Sequence, residues 1–138
     1  MARAAGNRVE LQVMLARPLL APPPEATAPC SYLVHYPGSA SDLNAWLAHY
    51  LAQHPRIMRD YPGVRQIQVF TRVDWCDAMP WARMHHMQRN QLSFGSPQAL
   101  LDALNSPVRA RMRADAGRFP PFSGGSLHFP MHTRVFYP

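Results

Sequence analysis

The chain has 138 residues, 47% of them hydrophobic and 16% charged. That is long enough for one domain with a real core and too apolar for a disordered protein. Net charge is +6, yet all 14 basic residues are arginine and they are scattered; in the one cluster (Arg109, Arg111, Arg113, Arg118), 109 and 113 share a helix face while 111 points elsewhere, and a nucleic-acid partner is not expected.

Two cysteines, Cys30 and Cys76, are too few for a disulfide framework, and neither lies in a CxxC; a reducing, cytoplasmic setting is the expectation. The opening stretch MARAAGNRVELQVMLARPLLAPPP is interrupted by Arg17 and Pro18 and makes a poor signal peptide. No run approaches the ~20 apolar residues that span a bilayer, so no membrane partner is expected. Low charge also points to apolar surface covered by a second subunit.

Residues 1–30 read as an N-terminal extension. Val9, Leu11, Val13 and Leu15 alternate with polar residues, a possible strand, before a Pro-rich connector of extended character from Ala16 onward. Residues 31–138 form the main domain. SYLVHYP (31–37) suits a strand ended by Pro37-Gly38. Ser39 or Ser41 can cap a helix whose apolar positions Leu43, Trp46, Leu47, Tyr50 and Leu51 follow the helical period. Pro55 predicts a break near His54 and a short second segment to Asp60. Tyr61-Pro62-Gly63 is a turn. Residues 64–73 alternate as a strand, with Ile67, Val69, Thr71 and Val73 on one face and Gln66, Gln68 and Phe70 on the other. Asp74–Pro80 is a loop, and 81–94 reads as an amphipathic strand. Ser96-Pro97 starts a helix containing Leu100, Leu101 and Leu104. Ser106-Pro107 repeats that start signal for a further helical stretch. Residues 118–125 are a loop, and 126–137 a final strand in which Pro130 marks an edge or bulge.

From residue 31 the order is β-α-β-β-α-β. The expected fold is therefore α+β: a ferredoxin-like sandwich, an antiparallel sheet with helices on one face. Its other face needs a cover, and a second copy in a homodimer is the obvious one.

The chemistry-bearing residues are mostly histidines. Counted at 100° per residue, His54 returns to within about 20° of Leu43 and continues the inward stripe of Leu47 and Tyr50. An imidazole there can move protons near neutral pH; a half-buried histidine satisfied by a carbonyl is the plainer alternative. His49 falls on the outer face. His35 shares a strand face with Leu33, and meets either His54 or a partner subunit. His85 and His86 are adjacent and point to opposite faces of a strand. His128 and His132, four apart, would suit a metal on a helix; on a strand they stand about 13 Å apart, too far for one ion. With no HExxH and no Cys/His cluster, no metal is expected. Cys76 lies near Asp74 and Asp77, which disfavour a thiolate. GxSxG, P-loop and GxGxxG motifs are absent. The aromatic residues Tyr32, Trp46, Tyr50, Tyr61 and Phe70 fit a core and interface, or an apolar pocket for a ring-shaped molecule.

Two stretches add a resemblance. W46-L-A-H-Y-L-A-Q-H54-P55 followed by Y61-P62-G63-V64, and F94-G-S-P-Q-A-L-L-D-A-L-N-S-P followed by Asp115 and Phe119, are similar to the EthD-like branch of the dimeric α/β-barrel superfamily. The likeness covers about residues 31–137. The family's tryptophan four residues before the histidine is Tyr50 here, and residues 1–30 have no counterpart, leaving room for an outer strand or an arm across a dimer. The resemblance implies a homodimer with sheets packed face to face and a pocket between sheet and helices, with His54 as the family histidine. It also implies chemistry without metal or organic cofactor, as in muconolactone-type isomerases, polyketide cyclases and small monooxygenases. The expected function is an enzyme for isomerisation, cyclisation or proton transfer on a small hydrophobic or aromatic molecule. His54 and His35 are its catalytic candidates, and Tyr50, Trp46, Tyr32, Tyr61, Phe70 and His86 its substrate-binding candidates. A non-catalytic small-molecule binding or accessory protein is the alternative.

Overall fold

A computed structural model describes residues 9–21, 28–134 and 136. Five strands form one sheet: β2 (Met14–Leu20), β3 (Cys30–Tyr36), β4 (Val64–Arg72), β6 (Gln88–Phe94) and β7 (Leu127–His132). Two short strands, β1 (Glu10–Leu11) and β5 (Ala82–Arg83), pair with each other alongside. The sheet order is β2-β4-β6-β3-β7, and each neighbouring pair is antiparallel. Without β2 this is the split βαβ order: β3 and β4 run parallel with β6 between them, and β6 and β7 run parallel with β3 between them. Helix α1 (Leu43–Met58) makes the first crossover; α2 (Pro97–Asn105) and α3 (Val108–Ala116) make the second. The ferredoxin-like α+β architecture is therefore present, with all three helices on one face.

Several local expectations need correction. The segment assigned to a Pro-rich connector is instead strand β2 as far as Leu20, hydrogen-bonded to β4. Pro18 is tolerated because β2 is an edge strand, where one side needs no N–H. Of that connector, residues 22–27 lie outside the described set. The strand expected over 81–94 is split into β5 and β6, with His85 and His86 in the gap. Asp42, not Ser39 or Ser41, caps α1, its side chain accepting from the Ala45 N–H at 2.9 Å. The break at His54 does not occur: α1 runs through Pro55 to Met58. Trp46, Tyr50, His54 and Met58 form one buried row, and holding Met58 in that row favours continuing the helix past a proline only one turn from its end. Ser96 caps α2 as expected, accepting from the Ala99 N–H at 3.1 Å. Ser106 does not repeat this; its hydroxyl donates back to the Ala103 carbonyl at 2.6 Å.

The core lies between the helices and Val34, Tyr36, Ile67, Val69, Leu92 and Phe94 of the sheet. Trp46 and Tyr50 are fully buried and stacked, with centroids 5.2 Å apart and planes at 16°. Phe119 and Phe122 close this aromatic cluster from the 117–126 loop. The loop is stitched to residues 39–41 by Ser123 N–H to Ser39 O at 2.8 Å and by a bridge between Ala40 and Phe122. Gly38 makes the close approach possible, since a Cβ there would fall 1.8 Å from the Ser123 carbonyl oxygen. Gly38→Ala should therefore push this loop outward and destabilise the fold by roughly 1–3 kcal/mol. Urea unfolding measures the change, and an unchanged midpoint would refute the tight contact.

Among the described residues, no helix covers the sheet's second face. Leu33, Phe70, Leu127, Phe129 and Met131 lie on it by alternation, and Leu127, Phe129 and Met131 are exposed.

Candidate active site

His54 sits in the last full turn of α1, only 4% exposed. Its ring is packed between Tyr50 and Phe119, each with its centroid 5.0 Å away. Its Nδ1 lies 2.7 Å from Oδ2 of Asp115, near the C-terminal end of α3. A carboxylate can only accept, so Nδ1 carries the proton and Nε2 is the ring nitrogen with the lone pair. Asp115 is itself 6% exposed. Its second oxygen, Oδ1, faces His49 Nε2 at 3.2 Å. His49, placed on the outer face by angular counting, therefore joins the site: its ring reaches sideways to α3, which packs against α1.

Burial pulls the His54 pKa below the usual imidazole value, and the Asp115 hydrogen bond and charge oppose that shift without cancelling it. His54 is therefore neutral at pH 7, with Nε2 ready to accept a proton. The same arrangement of a buried acid holding an imidazole in one tautomer supports general-base chemistry in many unrelated folds.

His54 lines a pocket of about 370 Å³ between sheet and helices. Tyr32, Val34 and Tyr36 of β3 and Asn90 and Leu92 of β6 form its sheet wall. Met58, Tyr61 and Leu104 join it, and α3 contributes Arg109, Met112, Arg113 and Ala116. Ser126 and His128 complete the rim. The size and the largely apolar wall fit a small organic molecule. His128 is held in place from both sides, by the Tyr32 hydroxyl at Nδ1 (2.8 Å) and by Ser126 Oγ at Nε2 (2.9 Å).

The residues singled out from sequence divide between three places. His54, Tyr32 and Tyr61 line the pocket. Tyr50 and Trp46 stand behind it: the Tyr50 hydroxyl accepts from Asn90 Nδ2 at 2.7 Å, and Tyr36 is the phenol that lines the wall instead. His35, Phe70 and His86 are not part of it. His35 and Phe70 lie on the helix-free sheet face, where His35 contacts His86 and Phe129 with centroids 4.9 Å and 5.0 Å away. The sheet thus separates His35 from His54, because strand alternation sends Val34 and Tyr36 to the helices and His35 away from them. Burial, Arg89 and His86 lower the His35 pKa to about 4. Asp115, His128, Asn90 and Arg109 were not singled out as site residues. Asp115 carried a signal, as the trailing acid of the family resemblance. Among the described residues no three of His, Cys, Asp and Glu gather to hold a metal ion, and no helix is long and apolar enough to cross a membrane.

Burial is the leading cause of lowered pKa values at His54, His35, His86 and His128, which sets a pH dependence. Between pH 6.5 and the lower folded values the unfolded chain binds the protons and the folded one does not. The stabilisation from keeping these rings neutral is present above pH 6.5 and is lost as pH falls through that window, down to about pH 4 for His35. The thermal midpoint should drop between pH 7 and pH 5; a flat or rising midpoint there would contradict the lowered pKa values of these imidazoles.

The fold and site define a class: a ferredoxin-like α+β domain with a buried His–Asp pair at the wall of an internal pocket. Solved structures that share the fold include an EthD family protein from Bacillus halodurans, 16% identical, with 76% of this chain and 98% of that one aligned and a TM-score of 0.60. A dimeric ferredoxin-like protein of unknown function from Thermobifida fusca aligns over 75% of this chain and 90% of its own, with 3% identity and a TM-score of 0.57. SnoaB, a cofactor-independent oxygenase from Streptomyces nogalater, aligns over 79% and 96%, with 12% identity and a TM-score of 0.53. No family model matches the sequence, and no curated protein does.

Proposed function

We propose that the protein is an enzyme that moves a proton on a small hydrophobic or aromatic molecule without a metal or organic cofactor. The single observation that carries this reading is the buried pair of His54 and Asp115 at the wall of the pocket, bonded at 2.7 Å. Nε2 of neutral His54 takes a proton from the bound ring or its hydroxyl, and Asp115 stabilises the imidazolium that forms. Returning the proton at another atom gives an isomerisation; attack of the resulting anion on a carbonyl of the same molecule gives a cyclisation. A fold shared with an EthD family protein and with a cofactor-independent oxygenase is consistent with this reading.

The chain acts as a homodimer in this reading, its helix-free sheet faces packed together. Exposed Leu127, Phe129 and Met131 there support such a cover. The shared fold of a protein described as dimeric agrees with it.

The test incubates the protein with a panel of aromatic quinols, small lactones and cyclic ketones and follows products by mass spectrometry, beside His54→Gln. Conversion by the wild type that the variant loses supports the enzyme. Tight capture of a panel member that is returned unchanged supports a non-catalytic binding protein.

A further inference from the structure

The arginines of α3 differ in what they face. Arg111 points away from the pocket and donates to Asp60 Oδ2 at 2.7 Å on the surface. Arg109 and Arg113, four residues apart and so on one helix face, both line the pocket. Neither makes an ion pair among the described residues, and the described pocket lining contains no Asp or Glu. Two arginine side chains, Arg109 half-buried and Arg113 exposed, thus border a largely apolar cavity whose described lining offers no carboxylate. The positive charge of Arg109 reaches Tyr32, Tyr61 and His128 around the same rim.

We propose that the pocket takes a ring-bearing organic anion, its ionised oxygen group held by Arg109 and Arg113 and its reacting position at His54. This substrate class rests on the reading of the pocket as the seat of His54-dependent chemistry. Arginine is the side chain best suited to grip a carboxylate, through paired N–H donors. Arg109 precedes Asp115 by six residues and Arg113 by two, about 9 Å and 3 Å of rise along α3, so the two arginines and the His54–Asp115 pair are offset along the helix axis within one pocket. The cations also favour the second negative charge that grows on the ring as Nε2 removes a proton. Their field draws anionic molecules to the mouth of the pocket.

The experiment measures binding of naphthalene-2-carboxylate and of its neutral primary amide to the intact protein by isothermal calorimetry. The wild type should bind the carboxylate at least about tenfold more tightly, the scale of one charge-assisted hydrogen bond. Arg109→Gln/Arg113→Gln should erase that preference and leave the amide's affinity unchanged. Arg111→Gln/Arg118→Gln removes the same net charge away from the pocket and should keep the preference; loss in both pairs alike would mean non-specific attraction and overturn the proposal. Equal affinity of the wild type for both probes would overturn the anion preference and leave the ring-binding pocket standing. If neither probe binds, the pocket reading falls and the proposal with it. His54→Gln should bind both probes as the wild type does, which keeps substrate recognition separate from the proton-transfer role.

Discussion

His54→Gln lowers turnover by about 10²–10⁴-fold, the usual contribution of a positioned general base, and the protein still folds. Glutamine is the informative replacement because its amide N–H can keep the hydrogen bond to Asp115. Alanine would leave a buried carboxylate with one partner fewer, and a loss of fold would then obscure the catalytic effect. Glutamine cannot take a proton at pH 7, so the role disappears while most of the packing between Tyr50 and Phe119 stays. The effect should lie in kcat rather than KM, since the group acts on the reacting atom and contributes little to holding the ring. Near-UV circular dichroism and urea unfolding confirm the fold. Turnover within a few-fold of the wild type would remove His54 from the mechanism. An independent readout needs no substrate: ¹⁵N shifts of the His54 ring should show Nδ1–H with an unprotonated Nε2 at neutral pH.

Much of this site was legible in the sequence because it depends on local periodicity. The 3.6-residue repeat through Leu43, Trp46, Leu47, Tyr50 and Leu51 fixed the direction of His54, and 4% exposure matches that direction. The split βαβ order also followed from alternation and from the Ser96-Pro97 start. What periodicity cannot supply is which of two sheet faces lies under the helices. His35 was therefore open between two roles, and the observed register puts it opposite Arg89 of β6, with Val34 opposite Asn90 on the other side. Phe70 follows the same logic, one residue out of step with buried Val69 and Thr71.

Long-range partners were less legible still. Asp115 is 61 residues from His54, and no spacing rule joins an acid on α3 to an imidazole on α1. His49 was set aside for its angle, but an angle describes the Cα–Cβ direction, and an imidazole reaches several ångströms beyond it into a neighbouring helix. The misreadings at Pro18 and Pro55 share another cause. Proline forbids one backbone donor locally; whether the loss matters depends on position. Pro18 is at a sheet edge, and Pro55 is near the end of a helix whose inward row is already buried.

Asp115→Asn tests the other half of the pair, and its expected signature differs from that of His54. The Asp115 hydrogen bond and charge both raise the His54 pKa against the burial that lowers it. Asparagine removes the charge, so the His54 pKa falls further and the base weakens. The acid limb of the pH–rate profile reports a base that must be unprotonated, so it should move to lower pH in the variant. Asparagine can also turn its NH₂ toward Nδ1, which would shift the ring proton to Nε2 and leave no lone pair facing the pocket. Both effects lower kcat, together by about 10²-fold or more. Folding should suffer less than in Asp115→Ala, where the Nδ1–H of His54 and the ring of His49 lose their acceptor. An unmatched buried donor costs about 1–3 kcal/mol, so the alanine variant should unfold at clearly lower urea than the asparagine one. If Asp115→Asn keeps full kcat and an unmoved acid limb, Asp115 is a packing partner of His54 and the dyad has no catalytic role.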